Sequence, residues 1–378
     1  MAATTSLKPA RTTQLFRAVT HYDWWLILAT CALLGFGMLS LMSIDYGTKS
    51  TYFKRQFEFL VVGSVPFLVF LTTKTATLRK FYPFLYWVNV ALLLVVMKAG
   101  TARGGDAQRW LVVGSFQFQP SELSKLLIVV TLAGFWATRR KEEIKMGRTF
   151  FISFLHVALP MALVFIQPHL GATLAIFATW LTVSLVMGSP GKYAFTAIIS
   201  GILALAIAIS VPGILSPYQL DRIKGLLRPD SSKNGYQVEH GLTAIGSGGL
   251  TGKGWKKGDL TAANYVPAAQ TDFIITVLGE EGGLIGCTLL LLTYGFFFFR
   301  IWLIMLRSDE HFHKGLLGGV LMIFVFHTVV NLGMVLRILP VVGLWLPFMS
   351  SGGTALWLCL ACVGLALNIK SREAVAKF

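Results

Sequence analysis

Long apolar runs separated by short polar segments make up most of the chain. A membrane-spanning helix needs about 20 mostly apolar residues, and about ten runs approach or exceed that length. The pattern therefore predicts an all-α polytopic membrane protein with about ten transmembrane helices. The predicted spans are residues 24–44, 57–73, 82–98, 121–138, 150–167, 170–188, 193–215, 273–299, 315–338 and 354–369.

One connection between the spans is much longer than the others. Residues 216–272 separate the seventh and eighth runs and are rich in Gly, Lys and Asn. Loops of this length without strong periodicity are usually functional. We therefore predict a single membrane domain over residues 1–378, with a polar tail at 1–23 and a large loop at 216–272.

Composition excludes a large soluble domain. The chain is 55% hydrophobic and 13% charged, whereas soluble domains carry about 25% charged residues. The four cysteines lie in apolar runs with no disulfide or zinc spacing. We interpret them, including the CxxC of Cys359 and Cys362, as small packing residues. No small-residue cleavage site follows the first run, so we expect it to be retained.

The net charge of +16 comes from Lys and Arg clusters between the apolar runs. With a cytoplasmic N-terminus, about 18 of these residues lie inside and about 7 in short outer loops. This bias predicts cytoplasmic termini and an extracytoplasmic loop 216–272, and it argues against a nucleic-acid partner.

The long loop carries many of the remaining cations. Such a cationic face outside the membrane favours an anionic ligand such as phosphate, although a solvated loop near anionic headgroups is the alternative. The glycine-rich GSGGLTGKG (246–254) lacks the Walker spacing, so it is either a backbone cradle for phosphate oxygens or a flexible turn. The cations are Arg222, Lys224, Arg228, Lys233, Lys253, Lys256 and Lys257.

QPSELSKL (119–126) has the features of a helix start. Pro120 suits the first turn, and Glu122 lies near the positive end of the helix dipole. Glu122 and Lys125 are three residues apart and share a face, either as a structural ion pair or as part of a polar cavity. Just before them, Arg109 beside Trp110 is typical of an interfacial segment.

A Pro- and Gly-rich segment follows a helical run that contains Asn331. Pro340 and Pro347 cannot lie deep in a regular helix, and non-helical backbone at membrane depth requires surrounding protein or a cavity. We therefore expect the segment, which ends at Ser350, to fold inward. It either lines a cavity or forms a re-entrant cap without a ligand.

The stretch AAQTDFIITVLGEEGG (268–283) places three acids near the eighth span. On a helix, Glu280 is turned about 80° from Asp272 and Glu281 about 180°. Asp272 is therefore predicted to lie at the outer mouth of the span, while the two glutamates pair within the bundle. No two histidines have the spacing of a helical metal site.

Five segments, in the expected order and across nearly the whole chain, resemble the SEDS (shape, elongation, division and sporulation) family of bacterial membrane proteins. The glycine-rich loop and its spacing to QTDF resemble the elongation members more than the division members. The segments are RGGDAQRWLVVGSFQFQPSELSK, IQPHLGATL, GYQVEHGLTAIGSGGLTGKGW, QTDFIITVLGEEGGLIG and NLGMVLRILPVVGLWLPFMSSGGTAL.

The resemblance implies a peptidoglycan glycosyltransferase of the bacterial inner membrane. Such enzymes polymerise lipid II at the extracytoplasmic face, release undecaprenyl diphosphate, and work with a class B penicillin-binding protein. The family's essential aspartate matches Asp272, which we expect to act as the base. A divalent cation, Mg²⁺ or Mn²⁺, is implied without assigned ligands. The expected substrate-binding residues are Arg109, Glu122, Lys125, Arg222, Lys253, Asn331 and Ser350.

The chain departs from the family pattern at four positions. His169 replaces an acid in Q-P-D-L-G, Gln270 replaces the histidine of H-T-D-F, and Trp345 and Ser351 replace Pro and Tyr of the Pro-rich segment. The imidazole at 169 removes a candidate cation ligand. Two other functions remain open: a flippase for lipid-linked sugars, and a scaffold for the transpeptidase.

Overall fold

The computed structural model describes residues 21–102, 108–113, 116–211, 213–216, 219–220 and 233–376. The helices are α1 (Trp24–Thr48), α2 (Tyr52–Thr72), α3 (Thr75–Ala99), α4 (Pro120–Ala137), α5 (Lys141–Ile144), α6 (Gly147–Ile166), α7 (Leu170–Val186), α8 (Gly191–Ser210), α9 (Lys233–Ser247), α10 (Asp259–Ala262), α11 (Ile274–Arg307), α12 (His311–Val335) and α13 (Gly353–Ala376). The strands are β1 (Thr101–Ala102), β2 (Gln108–Val113) and β3 (Phe116–Phe118).

The predicted helical membrane architecture is confirmed. Within the described residues, nine helices are long and apolar enough to cross a membrane, and α7 is a shorter apolar helix. Together they correspond to the ten predicted spans. Helix α11 has 34 residues and is interrupted at Gly283, so that it consists of a short first piece and a longer second piece. The segment between α8 and α11 contains helices α9 and α10.

Helices α4, α12 and α13 form the centre of the bundle. In their most apolar windows, 89% of α4, 61% of α12 and 83% of α13 is buried, against 11% of α2 and 6% of α8. Helix α13 packs along α2, and α4 packs against α3, α7 and α12. Polar groups on α4 and α12 therefore lie in the interior and must find partners there.

A small antiparallel sheet lies where an interfacial segment was expected. Strand β2 pairs with β3, with Leu111 opposite Phe118, and β1 pairs with β2. The β-branched and aromatic residues of WLVV and FQF favour this pairing. The sheet leads the chain to Gln119, the N-cap of α4, and α4 begins at Pro120 as predicted.

Helix α11 is interrupted at Gly283, whose φ of 61° and ψ of −159° are not helical. The break removes helical acceptors for the next N–H groups, and the glycine-rich loop replaces them. The Leu284 N–H donates to the Gly249 carbonyl at 2.9 Å, and the Ile285 N–H donates to the Leu250 carbonyl at 3.1 Å. The loop therefore completes the hydrogen bonding of a broken helix.

The loop also donates hydrogen bonds to the carbonyl groups of α11 that lie just before the break. The Lys253 N–H donates to the Glu280 carbonyl, and the Gly254 N–H donates to the Glu281 carbonyl, each at 3.0 Å. The Gly252 N–H is bonded to the Gly248 carbonyl at 2.9 Å. Because these amides bond protein carbonyls, this part of the candidate phosphate cradle is neither a free cradle nor a flexible turn, and it connects the loop to the helix.

Glycine is required here because the two backbones touch. A Cβ on Gly248 would lie 2.0 Å from the Gly279 carbonyl oxygen, and a Cβ on Gly252 would lie 2.1 Å from the Glu281 carbonyl oxygen. Gly283 combines a positive φ with a Cβ position 2.3 Å from the Gly252 nitrogen. Any side chain at these positions forces the loop away from the helix.

We predict that Gly283→Ala destabilises the protein by about 3 kcal/mol or more, since it adds backbone strain and an overlap with the loop. Thermal unfolding of the purified protein in detergent measures this as a lower Tm. Gly295→Ala in the same helix is the matched control. A Cβ at Gly295 meets nothing within 4 Å, so this variant should keep or raise the Tm. Equal Tm values for both variants would contradict the prediction.

Candidate active site

Asp272 lies in the turn immediately before α11, which begins at Ile274. Its side chain is partly exposed, whereas its neighbour Phe273 is fully buried. The buried phenyl ring anchors the turn in the core, next to the half-buried Asp272. Asp272 therefore lies at the start of the eighth span, as predicted, and its position on the outer side of the membrane stays a prediction.

The backbone that carries Asp272 is held by three consecutive carbonyl groups. Each carbonyl accepts a hydrogen bond from α12 or from the segment 336–352. The bonds are Ser351 N–H to the Gln270 carbonyl at 2.8 Å, Ser350 Oγ to the Thr271 carbonyl at 2.6 Å, and Asn331 Nδ2 to the Asp272 carbonyl at 2.8 Å. This part of the turn therefore has little freedom to move relative to the core.

Asn331 and Ser350 are positioning groups in this structure. Both are buried, and the Asn331 amide also donates to the Leu344 carbonyl at 2.7 Å. The Ser350 hydroxyl accepts the Leu346 N–H at 2.7 Å while it donates to the Asp272 turn. Their expected contact with substrate stays a prediction, because these polar atoms bond the backbone that orients Asp272.

The segment 336–352 folds inward, as its prolines predicted. It is non-helical, and Leu344, Leu346 and Met349 are fully buried. Gln56 closes it by donating to the Ser350 carbonyl and accepting the Gly352 N–H, both at 3.1 Å. The sequence analysis missed Gln56, although a glutamine just before the second apolar run was a signal for an interior polar contact.

Glu122 and Lys125 form a buried ion pair on α4. The Lys125 Nζ lies 2.8 Å from Glu122 Oε2, and both side chains are almost completely buried. Lys125 Nζ lies 2.9 Å from His327 Nε2, and Trp345 Nε1 donates to Glu122 Oε2 at 2.9 Å. These four residues are called the ion cluster below. The structural ion pair is thus present, and access of substrate to it stays a prediction.

Arg109 holds the turn between α6 and α7. Its Nε donates to the Gln167 carbonyl at 2.8 Å, and its NH2 donates to the Pro168 carbonyl at 2.6 Å. His169 follows Pro168 in this turn, and its Nδ1 lies 3.2 Å from the Ser121 hydroxyl. The imidazole that replaces the family's acid therefore lies beside the first turn of α4, next to the ion cluster.

Lys253 is paired with the buried Glu280 carboxylate, at 2.8 Å from Oε1. Glu280 also accepts the Leu260 N–H at 2.9 Å, and it accepts bonds from the N–H and hydroxyl of Thr261 at 2.9 and 2.7 Å. The hydrogen bond to Glu280 raises the pKa of Lys253. Lys253 thus neutralises a buried acid, and its expected diphosphate contact stays a prediction.

Of the two glutamates of the GEEGG stretch, Glu281 pairs within the bundle as predicted, whereas the same prediction is wrong for Glu280, which pairs with residues of the long loop. Glu281 accepts a hydrogen bond from Ser43 of α1, while Glu280 binds Lys253. Neither pairing involves Asp272. The three acids that are close in sequence therefore have separate structural roles.

Several of the predicted phosphate-binding cations of the long loop lie outside the described residues, and another one, Lys256, contacts aromatic rings. Arg222 falls outside the described residues, as do Lys224 and Arg228. Lys256 lies over the rings of Trp255 and Tyr46, at 4.3 and 5.0 Å from their centroids. Among the described residues, no three His, Cys, Asp or Glu side chains form a metal-ligand group. The divalent cation stays a prediction without a ligand set.

The amino-acid sequence matches one protein-family model over most of its length. The FtsW/RodA/SpoVE model, described as cell cycle protein, matches residues 23–374. The chain belongs to this family. The resemblance inferred from the ordered motifs is confirmed, and residues 23–374 include every predicted span.

Individual relatives support the family assignment. The chain is 33% identical over 355 residues to the peptidoglycan glycosyltransferase MrdB of Escherichia coli (strain K12), covering 93% of this chain and 94% of that protein. It is 30% identical over 363 residues to the stage V sporulation protein E of Bacillus subtilis (strain 168), covering 93% and 97%.

Solved structures share the fold. A chain from a study of how a peptidoglycan synthase complex coordinates polymerization and crosslinking matches with a TM-score of 0.78 and 29% identity, covering 92% of this chain and 97% of that chain. The rod shape determining protein RodA of Thermus thermophilus matches with a TM-score of 0.68 and 27% identity, covering 92% and 96%.

In this family member, we predict that Lys253→Met destabilises the fold by about 1–3 kcal/mol, since it leaves the buried Glu280 carboxylate without its cation. The raised pKa means that the pairing is complete below about pH 10.4 and is lost as the pH rises through the folded pKa. The loss should therefore be equal at pH 6 and pH 9 in thermal unfolding.

Two further variants test this pairing. The exposed Lys257→Met is the matched control and should leave the Tm unchanged. Adding Glu280→Gln to Lys253→Met removes the buried charge and should recover part of the Tm. A drop of equal size for both lysine variants would count against the pairing as its cause.

We predict that Ser350→Ala lowers stability by about 1–3 kcal/mol, because the Leu346 N–H and the Thr271 carbonyl lose a buried partner. Ser351→Ala is the matched control, because its bond to Gln270 comes from the backbone N–H. Thermal unfolding should show a lower Tm for the first variant only. Similar Tm values for both would show that the Ser350 hydroxyl does not hold the turn.

Proposed function

We infer that the protein is a peptidoglycan glycosyltransferase, the activity for which the Escherichia coli relative is named. It polymerises lipid II into glycan strands during cell elongation and releases undecaprenyl diphosphate. The observation that carries this proposal is the position of Asp272. Asp272 is half-buried in the turn before α11, and three carbonyl anchors hold the backbone of this turn.

The reaction requires a base and a stabilised leaving group. Asp272 accepts the proton of the 4-hydroxyl on the acceptor sugar as that oxygen bonds to the anomeric carbon of the donor. The bond from that carbon to the diphosphate breaks, and the electron pair leaves with undecaprenyl diphosphate. The anchored turn favours this step because the base is held in one orientation before substrate arrives.

Cations stabilise the charge on the departing diphosphate. Arg222 and the partly buried Arg109 are the candidates, with Lys125 and Lys253 as further ones. Lys125 and Lys253 already neutralise Glu122 and Glu280, so direct diphosphate binding would require those pairs to open. Mg²⁺ or Mn²⁺ would neutralise diphosphate charge when bound, but the described residues show no ligand group for it, and no step is assigned to it.

The Lys and Arg bias supports cytoplasmic termini and an extracytoplasmic active site in the bacterial inner membrane. Lipid II reaches such a site from within the bilayer. The partner is a class B penicillin-binding protein, which crosslinks the product. The similar chain from a peptidoglycan synthase complex supports this pairing of polymerization with crosslinking.

We predict that Asp272→Asn lowers lipid II polymerisation by about 10²–10⁴-fold, the usual contribution of a general base. Purified protein with its transpeptidase partner is assayed for glycan chains by gel electrophoresis. Glu239→Gln, which neutralises an exposed carboxylate on α9, is the matched control and should polymerise normally. Near-wild-type polymerisation by folded Asp272→Asn would remove Asp272 from the role of base.

A flippase for lipid-linked sugars is the second candidate. The broken α11 and the inward-folding segment 336–352 favour it, since transporters build their sites from interrupted helices. The product separates the two functions. Glycan chains formed in detergent, where no membrane separates two compartments, require bond chemistry and would exclude a function limited to transport.

A further inference from the structure

We propose that Trp345 is a positioning residue for the glycosyl transfer. Its indole connects the ion cluster on α4 and α12 to the backbone that carries Asp272. The inference rests on the proposed function, because it concerns the orientation of the proposed base. It concerns a residue that stands where the family pattern has proline.

Trp345 contacts each of the other members of the ion cluster. Its Nε1–H donates to Glu122 Oε2 at 2.9 Å. Its ring stacks on His327, with centroids 4.0 Å apart and planes 29° apart, and Lys125 Nζ lies 5.1 Å from its centroid. Glu122 Oε2 also accepts from Lys125. The indole is therefore the only donor from the segment 336–352 that the described structure shows on this carboxylate.

The residues on either side of Trp345 lead to the Asp272 turn. The Leu344 carbonyl accepts from Asn331 Nδ2, and the same nitrogen donates to the Asp272 carbonyl. The Leu346 N–H donates to Ser350 Oγ, which in turn donates to the carbonyl of the residue before Asp272. A shift of position 345 therefore reaches the carboxylate segment through two separate hydrogen-bonded connections.

His327 also links the ion cluster to α12, the helix that carries Asn331. It accepts or shares the proton of Lys125 at 2.9 Å and lies one helical turn from Asn331 on α12. His327 of the ion cluster and Asn331, which anchors the Asp272 turn, thus share one face of α12. With the indole stacked on His327, the segment 336–352 is fixed to that face close to Asn331.

The donor nitrogen distinguishes positioning from simple packing. Phenylalanine keeps an aromatic ring for His327 and Lys125 but cannot donate to Glu122. A hydrogen bond to a charged acceptor contributes more than one between neutral groups. If Trp345 only fills space, loss of this N–H leaves the reaction unchanged. If it fixes the segment, the loss misaligns Asp272 in the transition state.

The test compares Trp345→Phe with Trp357→Phe in the purified protein with its transpeptidase partner. Trp357 is a matched control, because its Nε1 donates to the Phe59 carbonyl at 2.9 Å outside the ion cluster. Lipid II polymerisation is followed as kcat and KM. We expect about a tenfold lower kcat with KM within about twofold for Trp345→Phe, since the interaction acts mainly in the transition state. Trp357→Phe should keep both values.

A second variant separates the loss of the indole N–H group from a loss of folding. Incorporation of β-(3-benzothienyl)alanine at position 345 replaces the N–H by sulfur and keeps the shape of the indole. It should stay folded, with a Tm no lower than that of Trp345→Phe, and reproduce the lower kcat. Wild-type kcat with this isostere, or an equal kcat loss in Trp357→Phe, would overturn the positioning role. If wild-type protein with its partner forms no glycan chains, it is the proposed function that fails instead.

Discussion

The structure depends on one constraint: backbone N–H and C=O groups that are shielded from water need protein partners. An unpaired group costs several kcal/mol in hydrocarbon, so an interrupted helix is tolerated only where other protein groups replace its hydrogen bonds. Two interruptions occur near the candidate site. The glycine-rich loop bonds the break at Gly283, and Gln56, Asn331 and Ser350 bond the segment 336–352.

These two sets of hydrogen bonds lie on either side of Asp272 along the chain. On one side, carbonyl anchors from α12 and from 336–352 hold the turn. On the other side, the docked loop fixes the short piece of α11 that ends at Gly283. The backbone at Asp272 thus lies between two hydrogen-bonded connections. Such preorganisation favours catalysis, because alignment of the base requires little further ordering when substrate binds.

Buried charged side chains, like buried backbone groups, need partners within the protein. Burial of an unpaired charge is costly, and several interior acids have a basic partner: Glu122 with Lys125, Glu280 with Lys253, and Asp23 with Arg300. Asp272 is half-buried, so solvent reaches part of this residue. Its environment is therefore set by substrate and solvent as well as by protein, which suits a group that must accept a proton.

The sequence by itself determined the helical membrane architecture, the position of Asp272 before α11 and the inward fold of 336–352, because hydropathy and proline act locally along the chain. Only the tertiary structure decided which polar groups meet. It placed His327 against Lys125 across 202 residues of sequence and turned the glycine-rich loop from a candidate phosphate cradle into a partner for a broken helix. Such pairings depend on how distant helices pack, and no local pattern encodes that arrangement.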